Sequence, residues 1–273
     1  MAGAVSRQAE RRLEKLRRRL AELDSACLAY SGGVDSTFLA AVAAGVLGRR
    51  FLAVTAASET YPESERREAL ALARRLGFRH RMIRTSELGI AGFSANPPDR
   101  CYHCKRELFG KLVRLARREG LAAMLDGQNA DDTADYRPGA RAAAELGVLS
   151  PLKEAGLTKR DIRALSRRMG LPTWKKPAQA CLASRFPYGQ SITREKLGRV
   201  AAAEEFLRGL GLGQLRVRDH GRLARIEVPA ADIARLAAPR LRSRLTAALR
   251  RLGYTWVALD LQGYRTGSMN EAL

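Results

Sequence analysis

Hydrophobic positions in this chain change their period along its length. Over residues 6–23, Leu13, Leu16, Leu20 and Leu23 recur at helical spacing among Arg, Lys and Glu, which predicts an amphipathic helix with one buried stripe. Ala26-Cys27-Leu28-Ala29-Tyr30 is then a short apolar run that reads as a buried strand. A glycine-containing turn, Ser31 to Ser36, leads into an apolar helix over Thr37–Leu47. Phe51–Thr55 reads as a second strand, and Glu63–Leu76 as a helix stopped by Gly77 at its C′ position. Arg81–Thr85 reads as a third strand. Strand, helix, strand, helix, strand at these lengths is the pattern of a parallel α/β fold.

Residues 86–100 carry Asn96-Pro97-Pro98, which cannot be helical, and read as a loop. Cys101 to Glu119 has helical character, and Ala122–Leu125 is a fourth strand ending in Asp126-Gly127. A polar loop is expected over 128–140. Thr158 to Met169 is a punctuated helix: Thr158 and Asp161 form a capping box, and Gly170 then Pro172 end it. Residues 171–190 are Pro-rich and mark a junction. Beyond it the pattern changes: a helix over 193–210, a hairpin of Gln214–Asp219 and Arg222–Val228 around His220-Gly221, helical residues 230–251 broken at Pro239, and a last strand, Tyr254–Leu261. The expected architecture is a doubly wound parallel sheet over 1–185 and a small α+β domain over 186–273. The chain shows no internal repeat.

A length of 273 residues fits one large domain and one small one. Hydrophobic residues make up 46% and charged residues 28%, which excludes wholesale disorder. Lys and Arg total 49 against 28 Asp and Glu, a net charge of +21. Such a balance invites a polyanionic partner, nucleic acid or a nucleotide. Arginine use this heavy, beside many Ala and Gly residues, also fits a genome-wide base composition. The longest uncharged apolar run, Ser36 to Gly48, is too short to span a bilayer, and no apolar signal core precedes it. Four cysteines in this length make no disulfide scaffold. A cytoplasmic protein with reduced thiols, outside any membrane, is expected.

Ser31-Gly32-Gly33-Val34-Asp35-Ser36 lies between a buried strand and a helix. Ligands of open parallel sheets sit at the carboxyl ends of strands. There the glycines let backbone approach an anion, and the helix start offers N–H groups and a positive dipole end. Asp35 suits a Mg²⁺ escorting phosphate rather than phosphate itself. Neither the Walker A nor the Gly-x-Gly-x-x-Gly spacing is present. The hexapeptide resembles the pyrophosphate loop of the ATP pyrophosphatase superfamily, whose fold is adenine-nucleotide alpha-hydrolase-like. That resemblance implies cleavage of ATP between its α and β phosphates, with pyrophosphate held by this loop.

Cys101-Tyr102-His103-Cys104 is a C-x-x-C at a helix start, and Cys181 stands in Ala180-Cys181-Leu182-Ala183-Ser184-Arg185. Spacing alone leaves a zinc site, a redox dithiol and part of an iron–sulfur cluster open. His103, between the two thiols, is badly placed to bind the same metal. Cys27, inside a strand, reads as a small core residue. The order of further motifs narrows the choice: Asp126-Gly127-Gln128-Asn129-Ala130-Asp131-Asp132, Asp135-Tyr136-Arg137-Pro138-Gly139, Pro177 to Arg185, Ala224-Arg225-Ile226-Glu227-Val228, and Gly263 to Asn270. Together they closely resemble the LarE family of ATP-dependent sulfur transferases, from about Leu13 to Asn270. The resemblance implies adenylation of a carboxylate of a pyridinium biscarboxylate mononucleotide. Sulfur then displaces AMP to give a thiocarboxylate, a step toward the nickel-pincer nucleotide cofactor. In one type of the family a cysteine matching Cys181 surrenders its own sulfur. In the other, three cysteines hold a [4Fe-4S] cluster that carries an extra sulfide. Cys101, Cys104 and Cys181 match the second type.

The resemblance makes ATP, Mg²⁺ and the cluster the expected cofactors, with a sulfide donor, and a homo-oligomer assembled through the C-terminal domain. ATP is expected on Ser31, Gly32, Gly33, Asp35, Ser36, Asp126, Asn129, Asp132, Arg137 and Arg185. Arg216 and Arg218 share one strand face, and Arg225 and Glu227 the next. Like charges facing one way are costly unless an anion sits over them, so this face is expected to take the substrate's phosphate. Lys175-Lys176 reads as junction surface and His220 as a turn residue. A tRNA thiolase shares the loop and fits the charge, but no added RNA-binding module is visible, and nucleic acid is not the expected partner.

Overall fold

A computed structural model describes residues 5–133, 138–177, 180–265, 267, 268 and 271. They form two compact units. The first runs to Ser86 and resumes from Asp99 through Pro177; the second takes Glu87–Pro98 and the residues from 180 onward.

In the first unit the elements are α1 (Arg7–Ala21), β1 (Ala26–Ala29), α2 (Val34–Leu47), β2 (Phe51–Ala57), α3 (Glu63–Leu76), β3 (His80–Arg84), α4 (Arg100–Arg118), β4 (Ala123–Leu125), α5 (Pro138–Glu145), α6 (Pro151–Glu154) and α7 (Lys159–Arg168). The strands form one parallel sheet in the order β3-β2-β1-β4. Side chains of a strand alternate between faces, and here the two faces enter different cores. Ala26 and Leu28 of β1, with Phe51 and Ala53 of β2, pack with Leu13, Leu16 and Leu20 of α1, Phe38 of α2 and Ile162 of α7. Cys27, Leu52 and Val54 point the other way, against Phe109 and Leu112 of α4 and Ala143 of α5. Helices thus cover both faces, as the doubly wound pattern requires. Cys27 is fully buried, and burial pushes its thiol up to about 12.

Local punctuation works as the residues suggest. Gly77 ends α3 at φ 72°, and Thr158 and Asp161 close a reciprocal capping box on α7. Two starts differ from expectation. Helix α2 begins at Val34 rather than Thr37, because Gly33 is extended and serves as its N-cap. Asp35 and Ser36 therefore stand in the first helical turn, at the positive end of the helix dipole. Helix α5 begins at Pro138, inside the span read as a polar loop.

The second unit holds α8 (Arg194–Gly209), β5 (Arg216–His220), β6 (Leu223–Glu227), α9 (Ala230–Ala237), α10 (Pro239–Arg251) and β7 (Trp256–Leu259). β5 and β6 form the antiparallel hairpin, turned by Gly221 at φ 73°, and β7 joins β6 in parallel. Val217, Ala224 and Ile226 pack with Leu207 and Leu249 in the core of this unit. The segment 87–98, read as a plain loop, is anchored here. Asn96 is fully buried at φ 57°, and its side-chain amide donates to the carbonyls of Phe186 (3.2 Å) and Pro187 (2.7 Å). Among the described residues no helix is long and apolar enough to cross a membrane.

Candidate active site

The pyrophosphate-type loop leaves the carboxyl end of β1, an inner strand of the first sheet. Ser31 Oγ and Ser36 Oγ lie 3.0 Å apart, and the Ser31 amide donates to Ser36 Oγ at 3.3 Å. The hydroxyls thus close the loop on itself and face one place. Gly32 is required for two reasons. Its φ is +65°, and a Cβ would stand 2.8 Å from the Cβ of Ala69 on α3. Gly127, after β4, also permits close approach: a Cβ there would meet the Ser36 amide nitrogen at 3.3 Å. The 126–132 loop is thereby pressed against the start of α2.

Asp126 is buried and accepts from the Gln128 side chain (2.5 Å) and from Ser150 Oγ (2.8 Å). Asn129 Nδ2 reaches Asp35 Oδ2 at 3.4 Å, and the Asn129 amide donates to Asp132 Oδ2 at 2.9 Å. Among the residues expected to bind ATP, the structure assembles Ser31, Gly32, Gly33, Asp35, Ser36, Asp126, Asn129 and Asp132 around one loop. Arg137 lies outside the described residues. Lys159 and Lys176 were missed by sequence reasoning. Lys159 Nζ donates to Asp35 Oδ2 at 2.5 Å, and its own amide donates to Asp131 at 2.7 Å. Lys176, read as junction surface, is instead nine-tenths buried; its Nζ meets Glu65 (2.7 Å), Glu68 (2.9 Å) and the Gly32 carbonyl (3.3 Å). An isolated lysine has no periodic signature, and both contacts span more than a hundred residues.

Asp35 carries the electrostatic tension of the site. Burial pushes its carboxyl up, Lys159 opposes that, Asp132 adds to it, and the net direction is up. Asp35 Oδ1 is buried with no hydrogen-bond partner. A carboxylate oxygen orphaned beside a phosphate-type loop fits a Mg²⁺, which binds through one or two carboxylates and completes its shell with water and phosphate oxygens. Asp35 and Asp132 would be the residues to hold it.

Cys101 stands in the first turn of α4 and Cys104 opens the second, three residues apart and so on one face. Cys101 is exposed and Cys104 half-buried, neither in a disulfide. Tyr102 fixes this turn to α5, donating to Glu145 at 2.6 Å beneath the Arg141 guanidinium, 4.2 Å from its ring centre. His103 Nε2 lies 3.2 Å from Asp99. Within either unit, no three described His, Cys, Asp or Glu side chains form a ready-made metal group.

Cys181 belongs to the second unit and is exposed. Its carbonyl is held by Ser184 Oγ (2.8 Å) and Arg185 Nη1 (3.2 Å). Arg185 departs from expectation. Its side chain is fully buried, with the fork on Glu204 at 2.7 and 2.9 Å and Nη1 on the Ala180 carbonyl at 2.9 Å. No face of this guanidinium is left for a nucleotide phosphate; it stiffens the backbone that presents Cys181. Glu204 feels two opposing effects. Burial pushes its carboxyl up, but Arg185 and then Arg208 and Arg216 outweigh that and hold it below the ordinary glutamate range.

Arg216, Arg218, Arg225 and Glu227 share the sheet face opposite the core, with Arg216 paired across to Glu227 and Arg218 to Arg225. Arg216 and Arg218 are buried. Arg218 donates to Glu227 (2.7 Å), to Ser268 Oγ (3.0 Å) and to the Ser184 carbonyl (2.8 Å), which links this face to the Cys181 turn. Arg225 reaches the other oxygen of Glu227 at 3.1 Å. Arg216 lies 5.1 Å over the Tyr264 ring, and burial with the nearby Arg185 pushes it down to about 10. Arg218 Nε and Arg265 Nη1 are buried donors without partners. Arg185, Arg208, Arg216, Arg218 and Arg225 face Glu204, Glu227 and Asp260, an excess of cations, with Arg185, Arg216 and Arg218 buried and Arg208 and Arg225 partly exposed, that an anion would relieve. Arg265 was not singled out from sequence; only its place in the Gly263–Asn270 motif hinted at it.

Comparison with known proteins accords with this chemistry. The asparagine synthase family model matches residues 13–197. The chain is 46% identical over 264 residues to an uncharacterized protein of Synechocystis sp., covering 97% of this chain and 98% of that one. It is 40% identical over 255 residues to the pyridinium-3,5-bisthiocarboxylic acid mononucleotide synthase of Lactiplantibacillus plantarum, covering 93% and 92%. A GMP synthase of Aeropyrum pernix is 30% identical over 207 residues, 67% of this chain and 39% of that one.

Proposed function

The chain belongs to the LarE family of ATP-dependent sulfur transferases built on a pyrophosphate loop, and from that premise we propose that it adenylates a carboxylate of a pyridinium biscarboxylate mononucleotide and replaces an oxygen of that group by sulfur. The observation that carries the reading is the Ser31–Ser36 loop, with both hydroxyls turned inward, Asp35 on the first turn of α2 and the 126–132 loop closed against it. A substrate carboxylate oxygen attacks the α-phosphorus, and the bond to the bridging oxygen breaks. Pyrophosphate leaves into the loop, where Ser31, Ser36, the glycine amides and the α2 dipole stabilise the charge that develops. Asn129 and Lys159 hold Asp35 in orientation. Mg²⁺ on Asp35 and Asp132 would shield the phosphates. A sulfur nucleophile next attacks the acyl carbon, and AMP departs with the carboxyl oxygen.

The second unit supplies Cys181 and the basic face. Arg185 and Ser184 fix the Cys181 backbone while its thiol stays exposed. Arg216, Arg218 and Arg225, oriented by Glu227, are the proposed phosphate grip on the mononucleotide. Held by Cys101, Cys104 and Cys181, a [4Fe-4S] cluster would supply a transferable sulfide and spare the cysteine sulfur; disulfide-free thiols, Cys101 and Cys181 exposed and Cys104 half-buried, suit that donor set. We assign ATP pyrophosphatase chemistry to the first unit, and substrate binding and assembly into a homo-oligomer to the second, which starts a few residues before the expected boundary at 185/186 and so takes Cys181 and Arg185. A sulfide donor and a cytoplasmic setting belong to the same reading.

A partition of the two half-reactions tests it. Under anaerobic conditions, the wild-type chain should release pyrophosphate only when ATP and the biscarboxylate mononucleotide are both present. Cys181→Ser should keep that release and make no thiocarboxylate. Pyrophosphate release that no carboxylate substrate stimulates sinks the reading, and sulfur found in added tRNA replaces the mononucleotide by nucleic acid.

A further inference from the structure

The loop that faces the nucleotide is gripped from behind. Tyr61, between β2 and α3, donates its hydroxyl to the Ser31 carbonyl at 2.5 Å. Lys176 Nζ meets the Gly32 carbonyl at 3.3 Å. In a trans peptide the C=O and the following N–H point in opposite directions. Holding the Ser31 carbonyl therefore aims the Gly32 N–H, and holding the Gly32 carbonyl aims the Gly33 N–H. The Gly32 amide is thus turned away from Tyr61 and the Gly33 amide away from Lys176, toward the Ser31 hydroxyl, which it meets at 3.4 Å. Successive N–H groups turned to one side around a left-handed residue form an anion-binding concavity, and Gly32 at φ +65° supplies that residue.

We propose that Lys176 and Tyr61 are positioning residues that hold the Ser31–Gly32–Gly33 backbone in its pyrophosphate-binding form without touching the ligand. Three observations converge on this. Lys176 is saturated on its own side, by Glu65 and Glu68 as well as Gly32. Glu65 is itself buried, and a buried Lys–Glu pair is a weak source of stability compared with apolar packing of the same volume, so its use here is geometric. Burial pushes the Tyr61 phenol up, with Glu65 adding to it, so the hydroxyl stays protonated and donating throughout the neutral range. Ala69 closes the third side of the same brace, against Gly32.

The inference rests on the nucleotide reading above, and the test separates the two. Binding of inorganic pyrophosphate and of AMP is measured by calorimetry on wild type, Lys176→Met, Lys176→Arg and Tyr61→Phe. Both Lys176→Met and Tyr61→Phe are expected to weaken pyrophosphate by roughly tenfold or more, the worth of a charged or buried hydrogen bond. AMP, which does not need the loop amides, should stay within about twofold of wild type in both, and Lys176→Arg should recover part of the loss. In the coupled reaction the same variants should lower kcat for pyrophosphate release more than they raise the KM for ATP. Unchanged pyrophosphate binding in either variant overturns the inference, as does an equal loss for pyrophosphate and AMP. A loss in Lys176→Met without one in Tyr61→Phe assigns Lys176 to direct phosphate contact and also overturns it. Wild type that binds no pyrophosphate overturns the nucleotide reading itself.

Discussion

Single side chains in this protein do their work through opposed charges. Arg218 stands between Glu227, Ser268 and the carbonyl of Ser184, with one buried donor left over. Arg218→Ala should raise the KM for the mononucleotide by roughly tenfold or more, the worth of a charge-assisted hydrogen bond, and leave the KM for ATP nearly unchanged. Steady-state kinetics with each substrate varied in turn checks this; equal effects on both contradict it. Glu204 is the counterpart in stability. Its carboxyl is held below the ordinary range, so it stabilises the fold above that range, and the contribution is lost as pH falls through its folded value. Glu204→Gln should lower stability by about 3–5 kcal/mol at neutral pH, because Arg185 is left buried without its charge partner. The gap between variant and wild type should narrow in melts taken below about pH 4.5, the ordinary glutamate range. A gap that does not change with pH contradicts this account of the pair.

At the scale of elements, the helices and strands of the parallel sheet were legible because each announces itself locally. Helix α3 runs over the residues its apolar spacing and Gly77 indicate, and α7 starts at the capping box read from Thr158 and Asp161. That box has a second consequence. Lys159, the first residue of α7, carries the contact to Asp35. Thr158→Ala should cost about 1 kcal/mol of stability, the usual worth of an N-cap, and also reduce pyrophosphate release by loosening Lys159. Thermal melts and the release assay on one preparation test both parts; lost stability with untouched activity disconnects Lys159 from the reaction. What was not legible depends on distant partners. The 87–98 segment reads as a loop because its anchor, Asn96 on the carbonyls of Phe186 and Pro187, lies some ninety residues away. Arg185 reads as a phosphate clamp because its motif is recognisable, while the carboxylate that takes its fork, Glu204, has no local mark. Lys176 was invisible for the same reason.

For the molecule as a whole, the net charge of +21 is now partly accounted for. Arg185, Arg216 and Arg218 are interior side chains, gathered with Arg208 and Arg225 around Glu204, Glu227 and Asp260. On the proposed reading that portion of the excess serves an anion within the second unit. The exposed arginines of α1 and α10 have no such geometry and fit base composition. On the proposed reading the two units divide the chemistry: the first carries the loop that would take pyrophosphate, the second the turn that presents Cys181. Their cooperation is tested most directly by following sulfur. Protein reconstituted anaerobically with iron and sulfide is incubated with excess ATP, the biscarboxylate mononucleotide and sulfide, and the mass of the nucleotide product and of the Cys181 peptide is measured over time. The account predicts thiocarboxylate in excess of one sulfur per chain, formed with matching AMP, and a Cys181 peptide of unchanged mass. A product that stops at one sulfur per chain, with Cys181 lighter by one H₂S, contradicts the cluster-borne route, and no sulfur in the product at all contradicts sulfur transfer.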